Sequence, residues 1–321
     1  MPLPDVFRDL RLPVIASPMF IVSSVELVIA QCKAGIVGSF PALNARPSSL
    51  LDEWLHRISE ELVAHDAAHP NNPAAPFAVN QIVHKTNARL DDDLAICAKW
   101  KVPLVITSLG AREDVNAMVH DWGGLTLHDV VDDRFARKAI DKGADGLIAV
   151  AAGAGGHAGA LSPFALVQEI RAWFSGPLAL SGAIAHGRSI LAAQALGADF
   201  AYIGSPWIAT PEANAAPAYK QAIADGRAAD IVYTNLFTGV HGNYLRGSIA
   251  AAGLDPDDLP ESDPTKMDFG MGDVTAAKAW KDIWGSGQGI GAVEAVEPVE
   301  TRVARFEAEY RAARAALCPS A

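Results

Sequence analysis

Asp145 to Ser162 reads DGLIAVAAGAGGHAGALS, and this stretch decides how the rest of the chain is read. An unbroken apolar run, Gly146 to Ala152, passes into a loop of Gly153, Ala154, Gly155, Gly156, His157, Ala158 and Gly159. A run of that length without polar alternation fits a strand buried on both faces, as in a parallel sheet. Glycines after such a strand let the backbone approach a flat or charged ligand, because no Cβ stands in the way. His157 is the titratable side chain of the loop, which makes it the candidate for chemistry there.

The same strand-then-helix unit recurs on both sides. Apolar runs at 13–17, 36–40, 77–79, 102–107, 125–127, 178–180 and 200–203 alternate with segments of helical spacing. Lys142-Gly143-Ala144-Asp145 and Leu196-Gly197-Ala198-Asp199 are near copies, and Lys33-Ala34-Gly35 resembles them. Each places a glycine where a helix ends and a strand begins. Alternation of this kind predicts a parallel sheet. Eight units in a little over 200 residues predict closure into a (β/α)8 TIM barrel. An open doubly wound sheet would carry GxGxxG near its first strand, and none follows Ala16.

Past Ser205 the pattern changes. A helix is expected over Pro211–Gln221 and an apolar, β-branched run over Ile231–Val240. A Pro/Asp-rich loop, 255–264, and segments at 266–271 and 275–284 follow, then GSGQGIG at 285–291. The expected division is a barrel of residues 1–210 plus 293–321, with 211–292 as a C-terminal lid or insertion over the active face. Trp280, Trp284, Tyr233, His241 and Tyr244 are expected to pack in that lid.

The formal net charge of −11 over 321 residues argues against nucleic acid and anionic membranes as partners. Cys32, Cys97 and Cys318 match no zinc or CxxC spacing. Cys32 and Cys97 read as buried helix residues in a reducing compartment. No signal peptide or bilayer-length apolar run is visible, so a cytoplasmic protein is expected.

In a barrel the chemistry gathers at the strand ends. Here these offer Ser17, Pro18 and Met19; Phe40 and Pro41; Asn80; Ser108 and Gly110; His128; Gly155, Gly156 and His157; Ser181 and Gly182; Gly204 and Ser205. They are small residues and neutral donors, with Asp129 the one carboxylate among them. That argues against paired-acid glycoside chemistry and against a metal centre. Barrels commonly bind phosphate after strands seven and eight, which here supply Ser181-Gly182-Ala183 and Gly204-Ser205. A phosphate-anchored aromatic cofactor would then lay its ring near Met19, Asn80 and His157.

The runs GADGLIAVAAGAGGHAG, PLALSGAIAHGRS and ALGADFAYIGSPWIAT resemble the nitronate monooxygenase family, formerly 2-nitropropane dioxygenases. PVIASPM and FAVN resemble its first and third strand ends, and WGSGQGIG its tail loop. The resemblance implies a TIM barrel holding FMN. It implies that the Ser17-Pro18-Met19 turn runs under the flavin, with Met19 engaged by its backbone, and that Asn80 bonds the ring. It puts His128 near the ribityl chain or ring edge, and Gly155 and Gly156 beside the cofactor. The phosphate would lie on Ser181, Gly182, Ala183, Gly204 and Ser205, and Gln288 and Gly289 would close over the cofactor. His157 matches the family's active-site histidine. Gly153-Ala154 departs from the acidic residue many members carry before AGGH, and some members carry Lys where His128 stands.

The implied reaction oxidises an alkyl nitronate or nitroalkane with FMN and O2 to a carbonyl product and nitrite. An imidazole titrating near neutrality would serve as donor to the nitronate or as base for a nitroalkane. An NAD(P)H-dependent FMN reductase acting on quinones or an enoyl thioester shares every residue named. So does an FMN-binding protein without turnover. The reading leaves room for a homodimer.

Overall fold

Eight parallel strands alternate with helices, as the sequence pattern predicts, in a computed structural model that describes residues 3–262 and 282–317. The barrel strands are β1 (Val14–Ala16), β2 (Gly38–Pro41), β3 (Phe77–Ile82), β4 (Leu104–Ser108), β5 (Leu125–Val130), β6 (Gly146–Val150), β8 (Leu178–Ser181) and β9 (Phe200–Ile203). Their order is β1-β9-β8-β6-β5-β4-β3-β2, and a parallel bridge between Ile15 and Val37 joins the two ends. The chain therefore folds as a (β/α)8 TIM barrel.

Local chemistry sets the junctions. Gly143 and Gly197 sit at φ 89° and 111°, a backbone region open to glycine, so each helix stops and the chain turns into its strand. Ser24 and Asp132 cap α1 (Val25–Lys33) and α5 (Asp133–Asp141) by accepting the amides of Leu27 and Phe135. The C-terminal helix, Val299–Leu317, lies against α7 (Gly187–Leu196), where a Cβ at Gly187 would meet the Phe306 carbonyl at 2.3 Å. Cys32 and Cys97 are buried. Cys318 lies outside the described residues.

Strand alternation divides the core. Ala78, Ile106, Leu127, Ile148, Ala179 and Phe200 fill the inside of the barrel. Val79 and Val105 face outward onto Leu51, Leu55 and Ile58 of α2 (Ser49–Ala68). Two residues beyond each interior position comes the next inward one: Asn80, Ser108, Asp129, Val150, Ser181 and Tyr202. These six form the floor of the barrel mouth.

The second sheet was not foreseen. Within the expected lid, Ile231–Thr234 (β10) and Gly242–Leu245 (β11) form an antiparallel ribbon. Its third strand, β7, is Gly156–His157 of the glycine loop, with Gly242 opposite His157 and Asn243 opposite Gly156. The helix expected over 211–221 is displaced to Pro217–Asp225 (α9), starting at a proline suited to the first helical turn. Trp280 and the segment 263–281 lie outside the described residues. Among the described residues no helix is long and apolar enough to cross a membrane.

Candidate active site

A cavity of about 1400 Å³ opens at the C-terminal ends of the barrel strands. Ser17, Pro18, Met19, Asn80, His128, Gly155, Gly156, His157, Ser181, Gly182, Ala183, Gly204, Ser205 and Gly289 all line it. Gln288 does not; it is exposed, and its amide donates to the Gly153 carbonyl (2.9 Å).

The roof is the glycine loop, held down by the ribbon. Asn243 Nδ2 donates to the Ala154 carbonyl (2.6 Å), the Ala158 amide to the His241 carbonyl (3.2 Å), and Tyr233 Oη to the Ala158 carbonyl (3.2 Å). The Tyr233 and His241 rings stack at 4.9 Å. Gly242 lets the two backbones meet, since a Cβ there would stand 2.8 Å from the Gly156 oxygen. His157 Nε2 lies 2.9 Å from Thr238 Oγ1, and that hydroxyl donates to the Val240 carbonyl (3.0 Å). The network therefore assigns the ring proton to Nε2. Burial lowers the His157 pKa to about 4. The imidazole is neutral at pH 7, which corrects the expectation that it titrates near neutrality.

One wall carries the serines and glycines of the last two barrel strand ends. Gly182 and Ala183 have φ of 145° and 54°, turning the backbone toward the cavity. Ser205 Oγ accepts the Gly287 amide (2.8 Å), which fastens the tail loop to this wall. Opposite, the Met19 amide already donates to Ser23 Oγ (2.9 Å), and Asn44 Nδ2 donates to the Met19 carbonyl (3.0 Å). Met19 is thus held by its backbone within the chain. Among the described residues, three of the four non-glycine residues at positive φ line the mouth: Ile21 (67°), Leu109 (62°) and Ala183. Such conformations cost roughly 1–3 kcal/mol each and cluster at functional sites.

A family model described as nitronate monooxygenase matches residues 6–252. The chain belongs to the nitronate monooxygenase family. The nitronate monooxygenase of Paraburkholderia phytofirmans PsJN is 26% identical over 337 residues, 93% of this chain and 92% of that protein. That of Pseudomonas aeruginosa PAO1 is 36% identical over 132 residues, a match spanning only 37% of either chain. Among solved structures, nitroalkane oxidase from Streptomyces ansochromogenes superposes with a TM-score of 0.80 at 24% identity, covering 98% of this chain and 100% of that one. FabK from Thermotoga maritima superposes with a TM-score of 0.77 at 23% identity, covering 98% and 96%. Membership makes the protein an oxidoreductase, and likenesses this distant speak for the fold alone.

The floor holds Asp129, the carboxylate that the sequence reading named without giving it a role. Strand β5 was expected to end at Leu127. It runs on to Val130 because Thr107 of β4 pairs with His128. The extension puts His128 and Asp129 on opposite faces. His128 points to the helix side, where its Nδ1 meets Thr107 Oγ1 (2.5 Å). Burial, with Lys138 of α5 adding to it, lowers the His128 pKa to about 4. Asp129 points into the barrel. Ser108 Oγ donates to its Oδ2 (2.6 Å), and Asn80 Nδ2 donates to Ser108 Oγ (2.8 Å). Burial raises the Asp129 carboxyl to about 6, and the Tyr202 phenol above the usual range.

Proposed function

We propose that this protein oxidises alkyl nitronates with FMN and dioxygen, releasing a carbonyl compound and nitrite. The observation that carries the reading is one cavity with a serine-glycine wall on one side and a ribbon-held neutral imidazole over it. The backbone leaves room for a planar group. No atom stands within 4 Å of a Cβ built at Gly156, and a Cβ at Gly204 would reach Ser17 Cβ (3.4 Å) and Met19 Sδ (3.7 Å) only at ordinary van der Waals distance.

Ser181, Gly182, Gly204 and Ser205 fit the phosphate, through hydroxyls and backbone amides, while the Ala183 amide donates to the Gly153 carbonyl (3.2 Å) and shapes the turn. Ser17, Pro18, Met19, Asn80, Gly155 and Gly156 fit the sides of the ring, and Gly289 the outer edge. The chemistry a flavin supplies when bound is electron transfer from nitronate to dioxygen. The chain supplies position and a water-poor site. His157, oriented by Thr238, brings no charge to the site, and the glycine loop shields the reacting carbon from bulk water.

The test is the visible spectrum of the purified protein, followed by anaerobic titration with propionate 3-nitronate and with NADH. A flavin spectrum bleached by the nitronate is expected. Bleaching by NADH alone would place the protein among flavin reductases instead. A colourless protein that takes up no FMN would end the proposal.

A further inference from the structure

Asp129 is a carboxyl on the barrel floor that the proposed reaction does not yet use. Among the described residues its hydrogen-bond partner is Ser108, which engages Oδ2. Asn80 donates to Ser108 Oγ, so the serine must spend its own proton on the carboxyl. Asp129 lines the cavity, which leaves Oδ1 for a ligand. The other titratable groups on that cavity are Tyr202, Tyr219, His128, His157, Lys138 and Asp282. Both histidines are neutral at pH 7, and both phenols are held protonated by burial. Lys138 is exposed on α5 and Asp282 is exposed beside the tail loop.

We infer that Asp129 carries the proton that accompanies an anionic substrate, making the barrel floor a proton-coupled subsite for a nitronate or for a carboxylate of the same shape. The inference rests on the nitronate reading above. A nitronate that arrives as an anion meets an ionised carboxyl and draws one proton from water onto Asp129. A neutral nitroalkane reaches the same complex by another route. Its α C–H bond breaks, the electron pair moves onto the nitro group, and the proton forms an O–H bond on Asp129. No electron is lost or gained in either step. The resulting carboxylic acid donates a hydrogen bond to the anion while Oδ2 keeps the Ser108 bond. The pKa of about 6 is that of the empty site, so it is the bound anion that holds the proton in place at pH 7.

Isobutyrate, an unreactive carboxylate of the shape of propane-2-nitronate, tests this by calorimetry on the flavin-loaded protein. Titrations at pH 7 in two buffers of different ionisation heat should show uptake of about one proton per isobutyrate bound. Affinity should fall about tenfold per pH unit above pH 6. Asp129→Asn should abolish the uptake and flatten the pH dependence, while Asp129→Glu keeps both. Ser108→Ala, which removes a bond to the ionised form, should move the midpoint to higher pH. Uptake that persists in Asp129→Asn, that vanishes in His157→Gln instead, or that is absent from the wild type overturns the inference, as does failure to bind isobutyrate. Uptake dependent on Asp129 without nitronate turnover would keep the subsite and remove the proposed activity. Turnover without uptake would do the reverse.

Discussion

The floor and the roof of the cavity face the same space but are built differently. The floor belongs to the barrel: Asn80, Ser108 and Asp129 point inward because each stands two residues beyond an interior side chain. The roof is borrowed. His157 takes its orientation from Thr238, 81 residues away in sequence, and Gly156 pairs with Asn243 of the ribbon. Strand alternation cannot slip without turning out the whole core, so the floor is rigid. The roof strand is two residues long, and the bonds that hold it come from segments distant in sequence. The floor is therefore suited to holding charge and the roof to being adjusted.

Breaking the roof should cost most. His157→Ala should lower kcat/KM for propionate 3-nitronate by about 10²–10⁴-fold and leave flavin content unchanged, read by steady-state rates and the 450 nm region of the spectrum. Gly242→Val spares every cavity residue but drives a side chain into the Gly156 carbonyl. It should cost about 10²-fold, because shifts of an ångström suffice for that. Wild-type rates in Gly242→Val would show that the ribbon does not set the roof. At the wall, Ser205→Asp sets a carboxylate against the phosphate and should weaken FMN binding about 10–100-fold by equilibrium dialysis, a loss of about 1.4–2.8 kcal/mol.

On stability the two regions act at opposite ends of the pH scale. The Asp129 carboxyl binds its proton more tightly in the native state, about 6 against 3.8. Its cost begins as pH rises above 3.8 and is complete above 6, so Asp129→Asn should stabilise by about 3 kcal/mol at pH 8 and by nothing at pH 3.5. The His157 ring binds its proton less tightly, about 4 against 6.5. Its cost begins as pH falls below 6.5 and is complete below 4, so His157→Gln should flatten the acid limb of the melting curve and leave pH 8 unchanged. Melting temperatures across pH 3.5–8 for both variants read the contrast.

The difference in construction also explains what could be read from the chain. Barrel strands, glycine junctions at 143 and 197, and the strand-end part of the cavity lining were legible because strand ends and the turns after them are local features. The tail-loop likeness located the loop, which faces the cavity with Gly287 and Gly289. Asp129 was named but given no role, because LTLHDV looks like a strand that stops at its first polar pair. Carrying the alternation of Leu125 and Leu127 two residues on would have placed the acid inside the barrel. Thr238 and Asn243 had no such signal. Their partners come from the far end of the sequence, and nothing local to a threonine or an asparagine names a histidine loop.

Ile21, Leu109 and Ala183 hold the mouth open in backbone geometry that glycine would adopt freely. Ile21 is kept there by Asn44, which accepts its amide (3.0 Å), and by Asn214, which donates to its carbonyl (3.0 Å). An engineer screening this enzyme for heat tolerance would meet replacements at these three positions early. Each would relax the chain, and each would strip a side chain from the entrance. Hardier variants obtained this way should lose discrimination between substrates before they lose speed.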